Sequence, residues 1–125
     1  FGPIVGFIAG FLGNVLGDLL SGFGFWWYWS LGNGIMGFIP GLMAAGITSY
    51  KETSTIIKAE VLVVVAAAVG ILVPSLLEIP LGGIDFRTAI VGYWLPAALS
   101  NAINGLVLVP ILMVAYDAVV SRSGR

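Results

Sequence analysis

The side chains in this 125-residue sequence with chemistry to offer are few and fall in short clusters. Trp26-Trp27-Tyr28-Trp29 is an unbroken aromatic run, and Asn33 follows between two glycines. Glu78, Asp85 and Arg87 lie within ten positions of one another, and Tyr93 and Trp94 come just after them. Asn101 and Asn104 stand three apart in apolar sequence, hence on one helix face. Trp and Tyr join an apolar ring to a polar N–H or O–H, so the run reads as a membrane-interface belt or as a platform that stacks on a flat ligand. Asn33 reads equally as glue between helices or as a ligand contact. Both alternatives concern binding and packing. Bond-making chemistry has no support: with no Cys and no His there is no disulfide framework, no thiolate or imidazole metal ligand, and no Cys or Ser-His nucleophile. The carboxylates show no paired spacing for acid–base work. An enzyme is therefore not expected, and neither is a cofactor or a catalytic residue.

The elements that must position these residues follow from composition. Hydrophobic residues make up 59%, charged residues 9%, and the mean hydropathy is +1.09, far from the mix of a soluble globule. A bilayer core requires roughly 20 apolar residues per helix, so the chain has room for about four or five spans in a single all-α transmembrane domain. The net charge of −1, with no basic run, offers nothing to a phosphate backbone, and nucleic acid is not an expected partner.

Charges and turn residues divide the chain into expected spans at residues 3–20, 30–50, 59–77 and 88–116. In the first, Gly6, Gly10, Gly13 and Gly17 share one face, the small-residue spacing that lets two helix backbones approach. The second holds Pro40-Gly41, where a kink is expected because proline removes a backbone donor and crowds the preceding turn. Residues 51–58 read as a polar connector, with Glu60 at a membrane boundary, and residues 78–87 read as a loop. The fourth span is longer than a bilayer needs and contains Pro96 and Pro110, so it is expected to bend or to begin as a short loop helix. The chain starts at Phe1 with apolar sequence and no charged leader, which suggests a piece of a longer protein.

Loop charge orients the spans. Lys51, Lys58, Arg122 and Arg125 fall on one side of an alternating four-span path and Arg87 alone on the other, so the connector and the C-terminus are expected in the cytoplasm. Asp18, the aromatic run, Asn33, Glu78, Asp85, Arg87, Tyr93 and Trp94 then gather at the outer end. A mixed polar and aromatic site there suits a small amphipathic solute.

Three stretches carry a resemblance. The run from Gly2-Pro3-Ile4 through Gly13-Asn14 to Gly17-Asp18 looks like the glycine-spaced third helix of the S components, the substrate-binding membrane subunits of energy-coupling factor (ECF) vitamin and micronutrient importers. The segment Trp29-Ser30-Leu31-Gly32-Asn33-Gly34, continuing to Pro40-Gly41-Leu42, is similar to the fourth helix, and Asn101-Ala102-Ile103-Asn104-Gly105 to the last. Where the family often has Gly-Asp this chain has Gly13-Asn14, with Gly17-Asp18 one turn on. The resemblance implies a multi-pass cell-membrane protein whose spans correspond to helices three to six of six. It implies capture of a vitamin or similar micronutrient at the outer face and inward delivery with a transmembrane coupling subunit and two ATPases. It also implies roles: Trp26, Trp27, Tyr28 and Trp29 for stacking, Asn33, Asn101 and Asn104 for hydrogen bonds, and Glu78, Asp85 and Arg87 for charge matching. A small oligomeric channel or exporter, with Asp18 and Glu60 as pathway charges, is the alternative.

Overall fold

The computed structural model describes residues 1–122; Arg125, one of the residues used to orient the chain, lies outside the described residues. Four α-helices form, α1 (Pro3–Leu20), α2 (Trp27–Gly41), α3 (Thr53–Gly82) and α4 (Leu95–Arg122). A π-helical segment, Thr88–Trp94, runs directly into α4, so the last long element does begin irregularly. No strand occurs among the described residues, as an all-α transmembrane bundle requires. The helices pack in chain order, α1 on α2, α2 on α3 and α3 on α4.

Three segments are long and apolar enough to cross a membrane: Pro3–Leu20, Thr53–Gly82 and Thr88–Arg122. The remaining helix, α2, has 15 residues and a length of about 22 Å, short of the ~30 Å hydrocarbon core. It starts at Trp27 and stops at Gly41, where a span over 30–50 with a kink at Pro40 was expected. Proline and glycine in succession end the helix here, and the chain turns through the 3-10 segment Ala44–Gly46. The backbone of this turn stays satisfied by short-range bonds such as Gly46 N–H to the Met43 carbonyl at 3.0 Å. By contrast α3 overruns its expected 59–77 at both ends, taking in six of the eight residues of the polar connector and the first five residues of the expected loop. It closes at Gly83, whose φ of 70° is the left-handed conformation that glycine adopts without a Cβ clash.

Packing explains why α2 lies between α1 and α3. A Cβ on Gly6 would strike the carbonyl oxygen of Gly37, and a Cβ on Gly37 would strike that of Gly6, so these two helices touch backbone to backbone. Gly13 and Gly17, expected on the same contact face, have open space around them. On α3 the buried positions Ala59, Ala66, Ala67, Gly70, Ile71, Pro74, Ser75 and Glu78 recur at helical spacing and form one stripe. Large apolar side chains outside these contacts remain exposed, Leu16, Leu19, Ile111 and Leu112 among them, a surface that hydrocarbon accepts and water does not.

The two ends of the bundle differ. Phe1, Tyr50 and Tyr116 meet edge to face at one end, with centroids 5.5 and 4.9 Å apart, beside an ion pair of Lys51 and Asp117 at 3.2 Å. The other end holds the segment joining α1 to α2 and the loop 83–85.

Candidate functional site

The end of α1 sets the first wall. Its last turn closes in a Schellman arrangement, Phe23 N–H to the Asp18 carbonyl at 3.0 Å and Gly22 N–H to the Leu19 carbonyl at 3.3 Å, with Gly22 at a φ of 76°. The reversal turns Phe23 back over the helix end. Trp26 is tied to it, its indole N–H donating to the Phe23 carbonyl at 2.9 Å.

Glu78 forms the opposite wall. Because it continues the buried stripe one turn beyond Ser75, its side chain falls between helices and is only 8% exposed. The Tyr28 hydroxyl donates to Oε1 at 3.1 Å and the Trp29 indole N–H donates to the same oxygen at 2.8 Å. Two donors on one oxygen fix the carboxyl in place. They also split the aromatic run by function. Trp29 reaches inward, its ring 6.2 Å from that of Tyr93, while Tyr28 is buried behind the carboxylate. Trp27 sets its edge against Tyr28 and leaves half of its surface, 50%, outside.

A chain of amides links the wall on α1 to α2. Asn33 donates to Asn14 Oδ1 at 2.9 Å and to the Trp29 carbonyl at 3.0 Å, and Asn14 in turn donates to Asp18 Oδ2 at 2.9 Å and to the Ser30 hydroxyl at 3.2 Å. These bonds satisfy polar groups in apolar surroundings and hold the Asp18 carboxylate at a set position.

Together these walls enclose a cavity of about 860 Å³. Phe23, Trp26, Trp29 and Tyr93 supply aromatic surface, Asn14, Asp18 and Glu78 supply polar atoms, and Leu81, Gly82 and Ile84 complete the lining. Its volume and mixed lining are those of a small-molecule pocket. Of the residues singled out in the sequence, Trp26, Trp29, Glu78 and Tyr93 meet here, and Tyr28 supports them. Asn33, Asn101 and Asn104 instead line a second cavity of about 360 Å³ with Gly10, Met36 and Val63. Asn33 therefore touches both regions, through Asn14 and directly. Asn101 donates to the Ala97 carbonyl of its own helix at 2.9 Å. The Trp94 indole N–H donates to the Ala68 carbonyl at 2.8 Å, fastening the π-helical segment to α3.

The charged loop residues stand apart from the lining. Asp85 caps the helix that follows, accepting the Thr88 amide N–H at 3.0 Å and its hydroxyl at 2.8 Å, and these bonds hold its carboxyl below the usual carboxylate range. Arg87 is exposed in the first helical turn after Asp85. Asn14 and Phe23 were not singled out in the sequence, and Asp18 was expected at this outer end but not assigned a contact to the solute. The available signal was the Asn14/Asp18 pair, four apart and so on one face of an otherwise apolar helix. No group of three or more His, Cys, Asp or Glu that could hold a metal ion exists among the described residues.

Comparisons with known proteins agree with this architecture. A UPF0397 protein of Streptococcus sanguinis is 29% identical over 99% of this chain and 70% of its own length. UPF0397 proteins of Vibrio atlanticus and Aliivibrio fischeri are 55% and 41% identical over 34% and 54% of the chain, which correspond to 23% and 37% of their own lengths. No solved structure matches. The family model described as "ECF-type riboflavin transporter, S component" matches residues 1–118, so the chain belongs to that family of multi-pass, substrate-binding membrane subunits and is not an enzyme.

Proposed function

We propose that this chain captures a vitamin or similar flat micronutrient in the 860 Å³ cavity, at the outer face of the cell membrane. The solute is then delivered inward in company with a transmembrane coupling subunit and two ATPases, and the C-terminus faces the cytoplasm. One observation carries the reading: four aromatic rings and a doubly anchored carboxylate converge on a single cavity at one end of the bundle. Ring faces supply sequence-tolerant stacking energy, and the few fixed polar atoms supply orientation. The basic residues Lys51 and Arg122 lie toward the opposite end, which the positive-inside rule assigns to the cytoplasm. Among the expected contacts, Trp26, Trp29, Glu78 and Tyr93 touch the solute, Tyr28 positions Glu78, and Asn33 acts through Asn14.

Native mass spectrometry of the gently purified full-length protein tests this. The expected result is a co-purified heterocycle of vitamin size that is lost in Trp29→Ala. Protein that carries no small molecule, and shows no saturable binding of any vitamin, would refute the proposal.

A further inference from the structure

Pro96 stands where the last long element changes from a π-helical to an α-helical backbone. In an unbroken α-helix its ring would crowd the Gly92 carbonyl, and it has no N–H to offer that oxygen. The chain widens over Thr88–Trp94 instead, and the Leu95 N–H donates to the Ile90 carbonyl five residues back. Such turns are rare and frequently adjoin functional sites. Here the widened segment carries Tyr93, which lines the 860 Å³ cavity, and Trp94, which does not.

These two neighbours are held differently. The Trp94 indole N–H is bonded to the Ala68 carbonyl of α3 at 2.8 Å, whereas Tyr93 is 37% exposed and its hydroxyl has no hydrogen-bond partner among the described residues. Across the cavity, Trp29 is fixed on α2 by its 2.8 Å bond to Glu78. The Trp29 and Tyr93 rings have centroids 6.2 Å apart and planes inclined by 35°. A flat ring between them needs about 3.5 to 4.0 Å on each side, roughly 7 to 8 Å in all. The gap falls short of that by about 1 to 2 Å. Because Trp29 is pinned, Tyr93 is the side that has to give. Drawing its segment back by that much stretches the Trp94 bond past hydrogen-bond range.

Resting on the binding-subunit reading above, we infer that Trp29 and Tyr93 form a clamp for a flat ring, with Trp29 as the fixed jaw and Tyr93 as the movable one, and that the Trp94 bond to Ala68 holds the empty clamp shut. Trp94 is thus a positioning residue, acting through Tyr93 without touching the solute. The π-helical turn keeps the movement local, since its hydrogen bonds are already irregular and α4 beyond Pro96 keeps its own. Solute enters the open form, so a bond that favours the closed form slows entry and lowers apparent affinity. A bond that merely fastened the bundle together would act in the opposite direction, and its loss would weaken binding.

Stopped-flow mixing of the full-length protein in lipid nanodiscs with riboflavin, followed by quenching of the flavin fluorescence, tests the inference. Trp94→Phe keeps an aromatic ring and removes the N–H. Its association is expected to be about fivefold faster than the parent's, with the dissociation constant lower by about the same factor. Tyr93→Ala removes the movable jaw and should speed dissociation about tenfold. Unchanged or weaker binding in Trp94→Phe overturns the clamp and leaves the binding-subunit reading standing. If that variant is not monodisperse, Tyr93→Ala decides, and dissociation within about twofold of the parent overturns the clamp. If the parent binds no riboflavin the clamp falls, and if it binds no other vitamin either, the binding-subunit reading falls with it.

Discussion

Trp27 and Trp29 are two residues apart, yet replacing them should have very unequal consequences for solute binding. Trp29 lines the cavity and donates its indole N–H to Glu78 at 2.8 Å. Truncation to Ala removes an aromatic contact at the centre of a binding site, a loss of about 1 to 3 kcal/mol. It also removes a donor to a carboxylate, worth about 1.5 to 3 kcal/mol. The two losses share one residue and do not add in full, and Tyr28 still holds Oε1. A net weakening of about 2 to 4 kcal/mol follows, roughly 30-fold to 700-fold in affinity. Trp29→Phe separates the contributions: the ring face stays, the donor goes, and about 1.5 kcal/mol, or roughly tenfold, is lost. Trp27 is half exposed and off the lining, so Trp27→Ala should stay within about 0.5 kcal/mol, near twofold. Equilibrium dialysis of full-length variants in nanodiscs, with riboflavin as the probe, measures all three. If Trp27→Ala proves as damaging as Trp29→Ala, or Trp29→Phe binds as the parent does, this cavity is not the site.

Packing and capping give two further expectations. Gly37→Ala inserts a methyl into the backbone contact with Gly6 and should destabilise the bundle by about 1 to 3 kcal/mol, lowering its unfolding midpoint in detergent, whereas Gly13→Ala meets open space and should not. For Asp85, the Thr88 amide and hydroxyl bonds depress the folded-state titration below the unfolded one. Its contribution to the start of the π-helical segment is therefore complete above the ordinary carboxylate range and disappears as pH falls through the lowered value. Exchange at the Thr88 amide, corrected for its intrinsic rate, should quicken across that acid window in the parent, and at neutral pH already in Asp85→Ala.

The amino-acid sequence by itself determined the class. Apolar content this high is tolerated only where lipid is the solvent and helices satisfy their own backbone, so the all-α bundle followed from composition. The resemblance to S components was legible in the run from Gly2 to Asp18 and the segment around Gly32-Asn33-Gly34, where Gly6, Gly10 and Gly32 do mark backbone contacts and Gly13 and Gly17 do not. The existence of α3 and α4 followed from their length.

What only the tertiary structure decided is which polar residues share a cavity. Glu78 read as a loop charge because Pro80 and Gly82-Gly83 follow it, yet the buried stripe of α3 carries it inward to two donors on α2. The aromatic run read as one group because its members are adjacent. A helix turns 100° per residue, so adjacent side chains point to different neighbours: Trp29 to the cavity, Tyr28 to the carboxylate and Trp27 outward. Asn14 and Asp18 entered the site because the α1–α2 contact at Gly6 and Gly37 draws their helix against Ser30 and Asn33. Periodicity along one helix is local information, whereas the partner a side chain meets depends on the position of another helix, and no spacing within a single segment encodes that.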